Sequence, residues 1–354
     1  MEKHAQGTNG ATGPADSDNS STCSFDPEYI NFIEEHGRRY HSAEMIQPND
    51  NQELELQVVR HEMWRLVCGG ELCLLPWAAA LNAKRVLDLG TGLGSWAFDF
   101  AAQHSGTTVI GVDMTPVQPE WVPPNCHFEI DDLRETWTWS KPFDLIHARG
   151  LSGSFGLDEF RQLVRQAYEY VALSRSLHRL TAPRYIYIYI YKLTWGVLPT
   201  CSNLKPGGYF EVKDLIYEPH CNDASFPRDS PLRLWWESLR LAGERAGRPM
   251  NLALHFAKLL FETGFEDVER VVHVWPTNCW PREEKYRAIG QLASRVIGAD
   301  LLGISSALLK RGMPDLEREQ VVALCENAER DFCNEKFRVY LRSISVVGRK
   351  PVSS

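Results

Sequence analysis

The stretch Val86-Leu-Asp-Leu-Gly-Thr-Gly-Leu-Gly-Ser-Trp96 reads as a buried strand, a glycine-rich turn and the start of a helix. The apolar residues up to Leu89 suit a central parallel strand, and Gly90, Gly92 and Gly94 let the backbone turn closely against a ligand. A second strand, 108–112, ends at Asp113, nineteen residues past Gly94. A carboxylate there can accept both hydroxyl hydrogens of a ribose, the usual arrangement for an adenosine group on a doubly wound sheet.

Bulk properties narrow the class. The chain has 354 residues, enough for one substantial core with a helical elaboration. Its net charge of -8 and lack of a Lys/Arg cluster argue against direct nucleic-acid binding, which needs phosphate neutralisation. The nine cysteines form no CxxC pair and no ligand spacing, so reduced thiols and no metal site are expected. No signal peptide and no apolar run of about eighteen residues stands out. A cytoplasmic protein with no membrane contact is therefore expected.

Residues 1–25, rich in Gly, Ser, Thr, Asn and Asp, read as a disordered tail. Residues 26–80 read as an N-terminal helical lid segment, with Leu54, Val58, Val59, Met63, Leu66 and Val67 at helical spacing. From about 81 to 351 strands and helices alternate, with strands at 86–89, 108–112, 127–130, 143–148 and 209–212 and helices at 95–103 and 159–170. Such alternation implies an α/β fold with parallel strands joined by right-handed crossovers. Helices at 232–246, 252–263, 283–310 and 314–326 lie among late strands at 264–274 and 343–347. They form a helical cap, about 220–340, over the ligand crevice.

One segment, 171–202, does not fit. It contains Tyr185-Ile-Tyr-Ile-Tyr-Ile-Tyr191, a strict alternation with both faces apolar. An alternating TA tract read in frame encodes Tyr-Ile-Tyr-Ile. Val171 has a GT-containing codon and Ser202 can have an AG-containing one. The 32 residues read as a translated, unspliced intron, with a genuine surface loop as the alternative. Removing them joins Tyr170 to Asn203-Leu-Lys-Pro-Gly-Gly208, a helix-to-strand connection of ordinary length.

The spacing Gly-x-Gly-x-Gly, with Asp88 two positions before it, departs from the Gly-x-Gly-x-x-Gly of nicotinamide sites, which leaves room for a pyrophosphate. It suits S-adenosylmethionine, which has no phosphate. Asp88 can help neutralise that molecule's ammonium through backbone or water, and free N–H groups at the helix start match its carboxylate. Asp131 and Asp132 end the third strand, where one can read the adenine edge and the other cap a turn. His147 and Arg149 end the fourth, which faces the reacting methyl.

Together these segments resemble class I methyltransferases, and more narrowly the LaeA-like fungal methyltransferases. The resemblance is carried by Gly37-Arg-Arg-Tyr-His41, residues 86–97, Trp121-Val-Pro-Pro-Asn125, Phe128-Glu-Ile-Asp-Asp132, Phe143-Asp-Leu-Ile-His-Ala-Arg149, Lys205-Pro-Gly-Gly-Tyr-Phe-Glu211 and Val347-Gly-Arg-Lys-Pro351. It implies a Rossmann-like sheet of seven mostly parallel strands. It also implies cofactor contacts from Tyr40, Asp88, Gly90, Gly92, Gly94, Asp113, Met114 and Asp131 or Asp132. The pattern departs near its end, where Arg338 stands two residues before Tyr340 in place of a His.

His147 is either a base for the acceptor's proton or a hydrogen-bonded structural histidine. Arg149 either binds a substrate carboxylate or pairs with Asp144, and Trp280 is a candidate substrate contact on the cap. The leading expectation is a methyltransferase tailoring a small-molecule secondary metabolite. The alternative is a nuclear regulator of secondary metabolism acting through protein partners.

Overall fold

A computed structural model describes residues 32–35, 37–41, 45–75, 82–168, 170–171, 200–201 and 203–352. The chain starts with an antiparallel hairpin, β1 (Ile33–Glu35) and β2 (Arg38–Tyr40), and helix α1 (Asn51–Val67). Asp50 caps α1 by accepting the Glu53 N–H at 3.0 Å, and its other oxygen takes Arg38 Nε at 2.7 Å. The hairpin was not expected from sequence, because three-residue strands show no periodicity.

The nucleotide-binding half follows as β3 (Arg85–Leu89), α2 (Ser95–Gln103), β4 (Thr108–Asp113), β5 (Cys126–Ile130), β6 (Phe143–Arg149) and α3 (Leu157–Tyr168). Two short strands, β7 (Tyr170–Val171) and β8 (Thr200–Cys201), pair antiparallel before β9 (Leu204–Cys221). The chain continues through α4 (Pro231–Arg245), α5 (Phe256–Thr263), β10 (Glu266–Pro276), α6 (Glu284–Val296), α7 (Leu301–Gly312), α8 (Arg318–Phe332) and β11 (Val339–Arg349).

Seven strands form one sheet in the order β10-β11-β9-β6-β3-β4-β5. Strand β11 alone runs against its neighbours; the other pairings are parallel. The expected seven-stranded, mostly parallel sheet is what forms. Its strands read as unbroken apolar runs because both faces are covered. Val86, Val109 and Leu145 face Trp96, Ala97 and Phe100 of α2. Leu87, Ile110 and Ile146 face Phe160 and Leu163 of α3 and Leu259 and Leu260 of α5. A third core joins α1 to the cap, with Trp64, Trp235 and Trp275 among helices α4 and α6 to α8.

Three expectations change. Strand β9 runs 18 residues, far past 212, because β11 pairs with it all the way from Tyr209 to Cys221. The single helix expected over 283–310 is two, separated by a 3-10 turn at Gly298–Asp300. By length and composition the run Glu284–Gly312 is apolar enough to cross a membrane, contrary to the sequence expectation, but 67% of its most apolar window is buried in the protein. The cap core explains that hydropathy.

Most of the insert lies outside the described residues; of it, residues 171, 200 and 201 are described. Tyr170 pairs with Cys201 and Val171 with Thr200, and Asn203 Nδ2 donates to the Gln166 carbonyl at 2.8 Å. The chain leaving α3 and the chain entering β9 therefore lie side by side as one antiparallel pair. We propose that 171–202 is a translated intron whose removal leaves the fold intact. A variant lacking 171–202 is expected to melt at or above the full chain's temperature, since a long loop no longer has to be closed. Loss of the cooperative melting transition in that variant would contradict this.

Candidate active site

Strand order runs outward from β3 through β4 to β5, then resumes with β6 on the other side of β3. At such a reversal a crevice opens beyond the carboxyl ends of the strands. Here it is a cleft of about 210 Å³, lined by the turn after β3, by α1 and by residues of the cap.

The turn is built from backbone that only glycine adopts readily. Gly90, Gly92 and Gly94 have φ of 66°, 56° and 83°. A β-carbon at Gly92 would stand 2.6 Å from Gln57 Oε1, and one at Gly94 would overlap the Phe128 ring. Beneath the turn Asp88 is buried, with Oδ2 accepting the Thr91 hydroxyl at 2.6 Å and Oδ1 accepting His147 Nδ1–H at 2.7 Å. Above it, Gln57 Oε1 accepts the Leu93 N–H at 3.2 Å, and Gln118 Nε2 donates to the Gly92 carbonyl at 2.7 Å.

Asp113 sits at the end of β4 with its carboxylate oriented by two backbone donors. Gly92 N–H reaches Oδ2 at 2.8 Å and Thr115 N–H reaches Oδ1 at 2.9 Å. Each oxygen has one more lone pair to offer and the residue lines the cleft, which is what two ribose hydroxyls require. Burial pushes this carboxyl's pKa up, partly offset by those N–H donors. A glycine turn with left-handed backbone and a bidentate acceptor at this spacing fit an adenosine-bearing sulfonium.

Comparison with known proteins agrees. A sequence profile described as a methyltransferase domain matches residues 59–176. The chain is 26% identical over 340 residues to methyltransferase pytC of Aspergillus terreus, covering 95% of this chain and 93% of that one. It is 28% identical over 324 residues to secondary metabolism regulator LAE1 of Cochliobolus heterostrophus, covering 90% and 94%. With the protein-methionine methyltransferase laeA of Emericella nidulans it shares 25% over 354 residues, covering 97% and 84%. The protein is an S-adenosylmethionine-dependent methyltransferase. Its similarity to the LaeA-like proteins spans nearly the whole chain.

In this methyltransferase the cleft wall brings together Asp88, Gly90, Gly92, Asp113, Met114, Asp132, His147 and Arg149. Gly94 stands just behind it as the N-cap of α2. Other expected residues lie elsewhere. Tyr40 is fully buried in the cap core, its hydroxyl 3.5 Å from the Gly303 carbonyl, whereas His41 reaches the cleft. Adjacent positions of an extended segment point opposite ways, so only one of the two can face the ligand. Asp131 is exposed and accepts the Asp132 N–H at 2.8 Å, while Asp132 is clamped by Arg134 at 2.7 Å. Trp280 is on the cap away from the cleft, its indole N–H donating to the Val339 carbonyl at 2.8 Å. Arg338 and Tyr340 are likewise outside it, bonded to Asp223 and Asn222.

The two residues with alternative roles resolve differently. His147 is 0% exposed and stacks flat on Trp96, ring centroids 3.8 Å apart. Burial pushes its pKa down, opposed by Asp88, so the ring is neutral at pH 7. It supports the turn and has no exposed edge to offer an acceptor. Asp88 lines the cleft as well, with one hydrogen bond on each oxygen. Arg149 does not pair with Asp144, which instead holds Lys205 at 2.7 Å. Its Nη2 donates to His61 Nδ1 at 3.1 Å, and His61 Nε2–H donates to Asp99 at 3.0 Å. Burial lowers the Arg149 pKa to about 10, so the guanidinium stays charged at the cleft.

Several cleft residues escaped the sequence reading. Glu53, Gln57, Arg60, His61 and Trp64 form one face of α1, and Arg60 Nη1 pairs with buried Glu53 at 2.8 Å. The apolar residues of the same helix carry its periodicity, so this polar face has no separate sequence signal. Asp214 and Ser152 also line the cleft.

Asp113→Ala should weaken S-adenosylmethionine binding by about 1–3 kcal/mol, the cost of losing hydrogen bonds to a charged acceptor. Calorimetry returning the wild-type affinity would contradict the ribose assignment.

Proposed function

We propose that the methyl acceptor is a small, largely apolar metabolite of fungal secondary metabolism, bound beside the cofactor beneath the cap. The observation that carries this is the far wall of the cleft, built from Trp64, Phe155, Leu215, Tyr217, Met250 and Trp275. Small-molecule sites combine such apolar surface with a few placed polar groups. The names of two relatives, methyltransferase pytC and probable methyltransferase tdiE, accord with this reading.

Methyl transfer from a sulfonium is an in-line displacement at carbon, and the leaving group is already activated. The chain's work is to exclude water and align the acceptor atom with the methyl. Alignment supplies up to about 7–11 kcal/mol, and a positioned base typically 10²–10⁴-fold. Asp113 fixes the ribose, Arg149 supplies positive charge for a carboxylate, and α1 closes over both. Cytoplasmic residence belongs to this reading.

A second reading, a nuclear regulator working through protein partners, is favoured by the names of the LAE1 and laeA relatives. Mass spectrometry of the metabolite pool after gene deletion separates the two. The small-molecule reading expects one compound to lose the mass of one CH2 unit. A broad collapse of many unrelated compounds would contradict it and favour the regulator.

A further inference from the structure

The cleft holds a second carboxylate that the ribose does not use. Strand β9 passes the edge of the parallel sheet at Asp214, which lies on the cleft wall and is 3% exposed. Its Oδ2 accepts the Ser152 N–H at 2.6 Å and its Oδ1 accepts the Leu215 N–H at 2.8 Å. One lone pair remains on each oxygen. Among the described residues no Lys or Arg lies within ion-pair distance of it. On the same wall the Ser152 hydroxyl is buried and has no hydrogen-bond partner among the described residues. A buried hydroxyl without a partner costs stability, and here it stands beside a buried carboxylate held only by neutral N–H donors.

Leu151, next to Ser152, packs so closely over the cofactor turn that a β-carbon at Gly90 would come within 2.8 Å of its Cδ2. Gly150 N–H donates to the carbonyl of Lys213, the residue before Asp214, at 3.0 Å. Asp214 and Ser152 are thus one residue removed from the cofactor's edge of the cleft, and around them stand Phe155, Tyr217 and Trp275.

We propose that Asp214 and Ser152 form the acceptor subsite, and that Asp214 takes the proton of a phenolic or enolic hydroxyl as it is methylated. The proposal rests on the methyltransferase reading and names the acceptor's chemical class. The hydroxyl O–H bond breaks with its proton passing to Asp214. The oxygen's electron pair forms the O–CH3 bond, and the S–CH3 pair stays on sulfur to leave S-adenosylhomocysteine. Protonated Asp214 then returns its proton to water. Burial raises the Asp214 pKa to about 6, so it is ionised at neutral pH yet a stronger base than an ordinary carboxylate. Tyr217, pushed up to about 12 by burial, stays protonated. Arg149, charged and facing the same cleft, disfavours an ammonium acceptor and favours one that develops negative charge.

The test uses the full chain loaded with S-adenosylhomocysteine, with 2-naphthol and its methyl ether as ligands in equilibrium dialysis. The ether has the same ring without the donor. The wild type is expected to bind the naphthol about tenfold or more tightly than the ether, the range for a hydrogen bond to a charged acceptor. Asp214→Asn is expected to abolish most of that preference while leaving ether and S-adenosylhomocysteine affinities unchanged. Ser152→Ala is expected to reduce the preference in part, and it carries the test if Asp214→Asn does not fold. General structural damage would weaken both ligands together. Equal binding of naphthol and ether by the wild type, or full preference retained in both variants, overturns the subsite. Failure of S-adenosylhomocysteine to bind the wild type would overturn the methyltransferase reading itself, and the two failures are distinguishable.

Discussion

At the point where strand order reverses, a buried carboxylate ties two strands and a turn together. Asp88 of β3 takes the Thr91 hydroxyl from the glycine turn and the His147 imidazole from β6, its register partner. The row continues across the sheet, because Glu211 of β9 is the register partner of His147 and pairs with buried Lys213 at 2.8 Å. Glu211 accepts the Leu74 N–H and Lys213 donates to the Leu72 carbonyl, each at 2.7 Å, which anchors the segment leading from α1. Removing one member of a pair leaves its partner's polar atom buried and unpaired, at about 1–3 kcal/mol. The position of the cofactor turn depends on this row.

What lies above the turn depends on a different set of contacts. Asp300, between α6 and α7, pairs with Arg38, and Arg38 also grips the cap residue of α1. Gln52 of α1 reaches the same Asp300 at 3.1 Å. These bonds tie the N-terminal hairpin, α1 and the cap to one another. That places Gln57 over Leu93 and Trp64 against Trp275, ring centroids 4.8 Å apart. The cofactor side is made by the sheet and the acceptor side by the cap, with α1 shared between them.

The sheet was readable because its signals are local. Five apolar strands, each followed by a turn or a helix of ordinary length, leave few topologies open. Asp113 was readable for the same reason, as a carboxylate ending a strand at a fixed distance from glycine. The roles of His147 and Arg149 were not, because burial decides them and burial depends on Trp96, His61 and Asp99 from other elements. Tyr40 and His41 were one position apart in a segment whose facing no sequence period announced. Asp214 was hidden by the length of β9, which only its pairing with β11 reveals. The Arg38–Asp300 pair spans 262 positions and has no local signature at all.

The central claim is that the turn held by Asp88, together with Asp113, receives the adenosine end of S-adenosylmethionine. A crystal structure of the complex with S-adenosylhomocysteine tests it most directly. The account predicts both ribose hydroxyls within hydrogen-bond distance of the Asp113 oxygens and the homocysteine chain running over Gly90 towards Arg149. A ligand bound with its ribose away from Asp113 would contradict it.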